Sequence, residues 1–227
     1  MGKDKRSRQK SRQKKLLKQR RKKQAGRRQK PGLSLSGILR RARSYPIHEC
    51  RINRGWRESG LAIILVSRQR PDGLFVIASC VVDLYCLGVK DASVNPEATV
   101  MDYLDMAEDT EDVIPWELAH QIIYGAIDFA AKYGFKPHRD FRRHVIHVLE
   151  PREVVPPNPD LEFGKDGKPF YVADQYDDPV RIMRILEQTA GPGGYYFLRP
   201  VDEEDLSDMV FLDPDDLEFD EDEEDEF

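Results

Sequence analysis

LAIILVSRQRPDGLFVIASCVVD (residues 61–83) is the stretch that decides the fold. Two nearly apolar runs, Leu61–Gln69 and Leu74–Val82, flank Arg70-Pro71-Asp72-Gly73. Proline presets φ at the start of a turn and glycine accepts positive φ, so an Asp-Gly turn between β-branched runs predicts a hairpin. The second run is apolar on both of its faces and predicts an inner strand covered on two sides. Upstream, Ile47–Asn53 adds another strand, and Leu33, Leu35, Ile38 and Leu39 predict a short helix docked on the core. Downstream, Leu84–Ala92 is read as a connection leaving the strand through Gly88, followed by an acidic stretch with Asp105, Glu108, Asp109, Glu111 and Asp112.

Leu118, Ala119, Ile122, Ile123, Ala126, Phe129, Ala130 and Tyr133 then recur at helical spacing. Pro115 suits the first turn, acids before it suit the helix dipole, and Gly134 suits the stop, so a helix is predicted over 116–133. Further on, the sequence predicts a strand over His144–Leu149 and a hairpin over Phe163–Val172 turning at Asp166-Gly167. A last helix starts at Asp178-Pro179, with Val180, Met183, Leu186 and Ala190 inward. The expected fold class is α+β: a mainly antiparallel sheet with one long helix packed across it, flanked by disordered charged tails.

The 227 residues carry a formal charge of −5, an average that conceals two extremes. Residues 1–30 hold 16 Lys/Arg and one acid, Asp4, whereas residues 202–227 hold 16 Asp/Glu and no base. Neither segment offers enough apolar surface to offset its ordering entropy, so a basic arm (1–32) and an acidic tail (201–227) are expected to flank one domain (33–200). No apolar run approaches the roughly 20 residues of a membrane-spanning helix. No seven-residue apolar stretch follows the basic amino terminus, so no secretory signal is expected, and Arg6 stands where N-myristoylation wants Ser or Thr. Three cysteines, Cys50, Cys80 and Cys86, make no disulfide framework, and the expected compartment is the cytoplasm.

Lys14, Lys15, Lys18, Arg20, Arg21, Lys22, Lys23, Arg27 and Arg28 are the densest part of the arm. Such cations neutralise phosphates and release counterions, which gives salt-sensitive binding to nucleic acid without sequence preference. Residues 1–30 contain no aromatic residue, so the arm holds a backbone but offers bases nothing to stack on. RNA is the expected partner. In the acidic tail, Phe211, Phe219 and Phe227 recur every eight residues among carboxylates, a composition suited to docking a protein partner or to competing with nucleic acid for the arm.

Two enzymatic alternatives rest on convergence near one sheet end. In the first, Glu49, Asp83, Asp91 and Asp140 hold Mg2+ for phosphodiester hydrolysis, with Lys90 beside them. In the second, His48, Cys50, Cys86 and His138 hold Zn2+, although no CxxC or HxxxH spacing is present. Gly164-Lys165-Asp166-Gly167-Lys168 lacks the spacing of a phosphate loop and precedes a strand, so it is read as a turn.

PIHEC (46–50), SRQRPDG (67–73), VVDLYCLGVKDA (81–92), YGAIDFAAKYGFKPHRDF (124–141) and FGKDGKPFYVA (163–173) together resemble a family of uncharacterised bacterial proteins. The resemblance spans roughly residues 46–198 and implies a bacterial cytoplasmic protein, with no activity, ligand or catalytic residue to carry over. Both charged tails lie outside it.

Overall fold

The computed structural model describes residues 34–174 and 177–198. The hairpin read from residues 61–83 is its centre. Strands β2 (Leu61–Gln69) and β3 (Phe75–Asp83) pair antiparallel from Leu61↔Asp83 to Gln69↔Phe75 without a register break. Gly73, at φ 81°, closes the turn between them, its N–H donating to the Arg70 carbonyl. Strand β1 (Ile47–Ile52) adds beside β2, and β4 (Gly88–Ala98) beside β3. A three-residue strand, β5 (Asp112–Ile114), adds beyond β1, so the order is β4-β3-β2-β1-β5 with every pair antiparallel. The α+β class and the mainly antiparallel sheet expected from the sequence are the ones observed.

One face of this sheet builds the main core. Cys50, Ile52, Ile64, Val66, Val76, Ala78, Cys80, Val82, Val89 and Ala92 meet Ala119, Ile122, Ile123 and Ala126 of a 17-residue helix, Trp116–Lys132. That helix shares the face with α1 (Leu35–Ala42), through Ile38, Leu39 and Ala42, and with Phe141, Val145 and Val148. The sheet is therefore covered by several helical pieces rather than by one. Numbered in chain order, the remaining helices are α2 (Trp56–Ser59), α3 (Val100–Ala107), α4 (Trp116–Lys132), α5 (Arg139–Arg143) and α6 (Pro179–Thr189). Gly88 permits the close approach of α4 to the β3–β4 hairpin, since a Cβ there would stand 3.0 Å from Ala130 Cβ and 3.1 Å from the Ala126 carbonyl.

On the opposite face, α3 covers only half the sheet, Tyr103 packing with Leu65, Phe75, Ile77 and Ala98. Thr99 and Asp102 form a reciprocal capping box at its start. A third cluster, Cys86, Tyr171, Ala173 and Leu186, belongs to a small βαβ unit in which β6 (Phe170–Val172) pairs parallel with β7 (Tyr196–Leu198) across α6. Among the described residues, no helix is long and apolar enough to cross a membrane.

Four expectations are corrected. The connection after Gly88 is the 11-residue strand β4, hidden because bulges at Phe75/Ile77 and Val81/Val82 break its alternation and because Pro96 is admissible on an edge. His144–Leu149 is not a strand but a 3-10 turn at Val145–His147. Its buried residues, Val145, Val148 and Leu149, follow helical spacing, with Ile146 half-buried and His147 exposed between them. The Asp166-Gly167 turn forms, closed by Lys165 and Lys168, but Phe170–Val172 pairs with β7 instead of folding back onto Phe163. In α6, Asp178 caps and Pro179 opens the helix as read, yet Val180 is exposed and the inward face is Ile182 and Leu186.

Candidate nucleic-acid interface

The arm residues Lys14, Lys15, Lys18, Arg20, Arg21, Lys22, Lys23, Arg27 and Arg28 lie outside the described residues, as does the acidic tail. What the structure supplies is the surface onto which the arm leads. Ser34 caps α1 through its hydroxyl, which accepts from the Gly37 N–H, and the last turn of α1 carries Arg40 and Arg41, exposed and favourably placed at the negative end of the helix dipole. Arg43 follows and donates to the carbonyls of Leu149 (2.7 Å) and Ile146 (2.6 Å), which ties the end of α1 to the segment after α5. Helix α5 adds Arg142 and Arg143 in its own last turn, both exposed. Arg40, Arg41, Arg142 and Arg143 have no ion-pair partner among the described residues. On the other face of the sheet, Asp105 of α3 and Glu108 just after it are exposed acids.

Beneath the basic surface lies a buried guanidinium. Arg68 is 2% exposed and donates to the carbonyls of Val148 (2.6 Å), Tyr45 (2.7 Å) and Arg43 (3.4 Å) and to Glu150 Oε1 (2.6 Å). It thus clasps the exit of α1 and the segment after α5 to β2. Sequence reading passed over Arg68, because a strand-end arginine looks solvent-bound until its partner, 82 residues away, is folded onto it.

The candidate catalytic and metal-binding residues fall into two separate groups: His48, Glu49 and Cys50 on β1 lie apart from Asp83, Cys86, Lys90, Asp91, His138 and Asp140 around the β3–β4 turn and the start of α5. Glu49 pairs with Ser67, which faces Ile77 on β3, whereas Asp83 pairs with Leu61. Ile77 and Asp83 are six residues apart along one strand, or roughly 20 Å at about 3.3 Å per residue. The expected convergence of Glu49 with Asp83 at one sheet end is therefore not what the register gives. A bulge between Ile47 and Glu49 turns both His48 and Glu49 toward α3, where the His48 ring meets Phe75 (5.0 Å) and Tyr103 (5.3 Å). Cys50 points to the opposite face and is buried. Burial pushes the thiols of Cys50, to about 12, and of Cys86 upward, away from the thiolate that a metal or a nucleophilic role requires.

Asp83 accepts from the backbone N–H groups of Tyr85 (2.9 Å), Cys86 (3.1 Å) and Leu87 (3.3 Å), fixing the β3–β4 turn. Burial raises its pKa despite these bonds and the nearby Lys90. Lys90 itself donates to Asp177 (2.8 Å), tying β4 to the βαβ unit. His138 caps α5, its Nδ1 accepting from the Asp140 N–H, and stands 3.8 Å from Asp91; Asp140 stands 4.0 Å from His144. Among the described residues, no group of three or more His, Cys, Asp or Glu is arranged to hold a metal ion. These polar groups act as turn, cap and tether.

Glu49 illustrates such a tether. Its carboxylate accepts from the Tyr103 hydroxyl and from Arg51 (3.0 Å), and Arg51 also donates to the carbonyls of Thr110 (2.8 Å) and Glu111 (3.1 Å), binding α3 and its exit to β1. Burial disfavours the carboxylate charge, but Tyr103 and Arg51 outweigh it and hold Glu49 below the usual carboxylate range. A depressed folded-state pKa contributes stability that is complete above the unfolded value, about 4.3, and is lost as pH falls through the folded value. Tyr103→Phe should therefore destabilise the protein at pH 7 and by a smaller margin at pH 3, read as the shift in urea midpoint at each pH. An equal shift at both would mean that the hydroxyl acts on packing alone.

Comparison with models of known families, with curated proteins and with solved structures finds no match to this chain.

Proposed function

We propose that the chain is a nucleic-acid-associated protein that takes RNA as its partner, anchored by the basic arm and continued by the arginines of α1 and α5. The observation that carries this reading is continuity of charge. Sixteen cations in residues 1–30 run into Arg40 and Arg41, and the folded body adds exposed Arg142 and Arg143 at the end of α5, all four without an ion-pair partner among the described residues. Cations in this density bind phosphates by counterion release, and the arm's lack of rings makes that binding indifferent to base sequence. The test is the affinity of the full chain for RNA against that of the chain lacking residues 1–30. Loss of binding supports the proposal, and unchanged affinity overturns it.

The acidic segment regulates the same surface in this reading. Sixteen carboxylates in residues 202–227 begin four residues after Leu198, the end of β7, and act as a tethered phosphate mimic at high effective concentration. Deleting residues 202–227 should tighten RNA binding at low salt, with the gain shrinking as salt rises because the Debye length falls to about 10 Å at 0.1 M. The control keeps every carboxylate and replaces Phe211, Phe219 and Phe227 by Ser, which separates charge from apolar docking. If deletion leaves low-salt affinity unchanged, the acidic segment serves another protein rather than the arm.

A further inference from the structure

We propose that the outer face of the β6–β7 sheet, extended by Tyr85, is a stacking surface for the bases of single-stranded RNA. Parallel strands are ordinarily covered on both faces. Among the described residues, the inner face is the covered one: Tyr171 and Phe197 stack at 5.6 Å and pack with Leu186 of α6. The outer face carries Phe170 and Tyr196, opposite each other in register, and Leu198; Tyr196 is 38% and Leu198 52% exposed. Half-buried Phe170 joins the row to Tyr85, whose ring packs with one side on the main core and leaves its rim at the surface. The Tyr85 ring centroid is 6.0 Å from that of Phe170, which is 6.4 Å from that of Tyr196.

The row is held rigidly. The Tyr85 hydroxyl donates to the Arg57 carbonyl (2.9 Å), and its ring lies so close on Gly60 that a Cβ there would come within 2.1 Å of it. Phe170 donates its N–H to the Tyr85 carbonyl (2.9 Å). The Lys165–Lys168 turn, closed by backbone bonds of 2.8 and 2.9 Å, brings two ammonium groups to the rings: Lys165 Nζ stands 5.2 Å from the Phe170 centroid and Lys168 Nζ 5.6 Å from that of Tyr196. The Gly-Lys-Asp-Gly-Lys stretch therefore acts as a lysine-presenting turn rather than a phosphate loop.

A row of aromatic rings interleaved with lysines is the composition of surfaces that bind single strands, because every base has a π-face while a duplex keeps those faces stacked inside. Asp166 sits between the two lysines in the turn, and Glu58 and Glu162 lie near Tyr85, so the local charge is largely balanced, this site contributes stacking and the arm supplies long-range attraction to phosphate. It provides what the arm lacks, and behind it Phe135, four residues before α5, packs in the same cluster as Phe197. The proposal rests on the RNA reading given above.

The experiment measures the affinity of the full chain for a fluorescent uridine 12-mer and for a duplex of equal length, across salt. Tyr196→Leu and Phe170→Leu keep apolar area but remove a ring. Each should weaken single-strand binding by about 5- to 150-fold while leaving duplex affinity and the salt slope unchanged. Parent-like single-strand affinity in both variants, with the dependence on residues 1–30 intact, overturns the stacking surface and leaves the RNA reading standing; loss of that dependence overturns both. Tighter binding in Tyr196→Leu would assign the row to the acidic segment instead. Photo-crosslinking of 4-thiouridine RNA to the unsubstituted protein is independent of variant folding. Adducts at Tyr85, Phe170 or Tyr196 support the surface, and adducts confined to residues 1–43 overturn it.

Discussion

Arg68→Met is expected to lower the free energy of unfolding by about 3–5 kcal/mol, the cost of breaking a buried ion pair by removing one partner. The side chain is 2% exposed and bonds three carbonyls and Glu150, so methionine fills the volume but leaves four acceptors short of a donor. Glu150 is 25% exposed and recovers some hydration; the carbonyls of Val148 and Tyr45 recover less. Arg68→Lys should restore only part of the loss, because one ammonium cannot span the sites that a planar guanidinium reaches. Urea unfolding of the three proteins measures this directly. A loss below about 1 kcal/mol for Arg68→Met would mean that the clasp is no stronger than a surface ion pair. The clasp joins the exit of α1, which carries Arg40 and Arg41, to the 148–150 segment that follows α5.

The central hairpin was legible because local chemistry and burial agree there. Turn residues at 70–73 separate two β-branched runs, and their pairing needs no distant information. The α4 helix was legible for the same reason. Elements whose partners are remote in sequence were not. Phe170 finds Tyr196 across a whole helix, so the short range from Phe163 to Val172 looked like a hairpin on its own. Val145, Ile146 and Val148 are β-branched and looked like a strand, yet burial of 145, 148 and 149 follows the helical period. At the site, the cations of the arm were legible from composition alone. The carboxylates misled because strand register was unknown: one pairing scheme joins Glu49 to Asp83, and the observed one separates them by most of the length of β3. The Tyr85, Phe170 and Tyr196 row was invisible, since Phe170 and Tyr196 stand a whole helix apart and Tyr85 lies far upstream of both.

The second large effect concerns salt. A protein neutralising 6–10 phosphates loses about 10³–10⁵ in affinity between 50 and 200 mM salt, and the arm holds cations enough for that number. The logarithm of the RNA association constant should therefore fall steeply and linearly with the logarithm of salt concentration in the full chain. The folded body alone keeps Arg40, Arg41, Arg142 and Arg143, so its slope should be shallow and its affinity low. The deciding measurement is this slope, taken by fluorescence anisotropy on one single-stranded RNA with the full chain and with the chain lacking residues 1–30. The account predicts a slope that collapses on removal of the arm, with binding at 200 mM salt abolished. Equal slopes and equal affinities in the two proteins would contradict it.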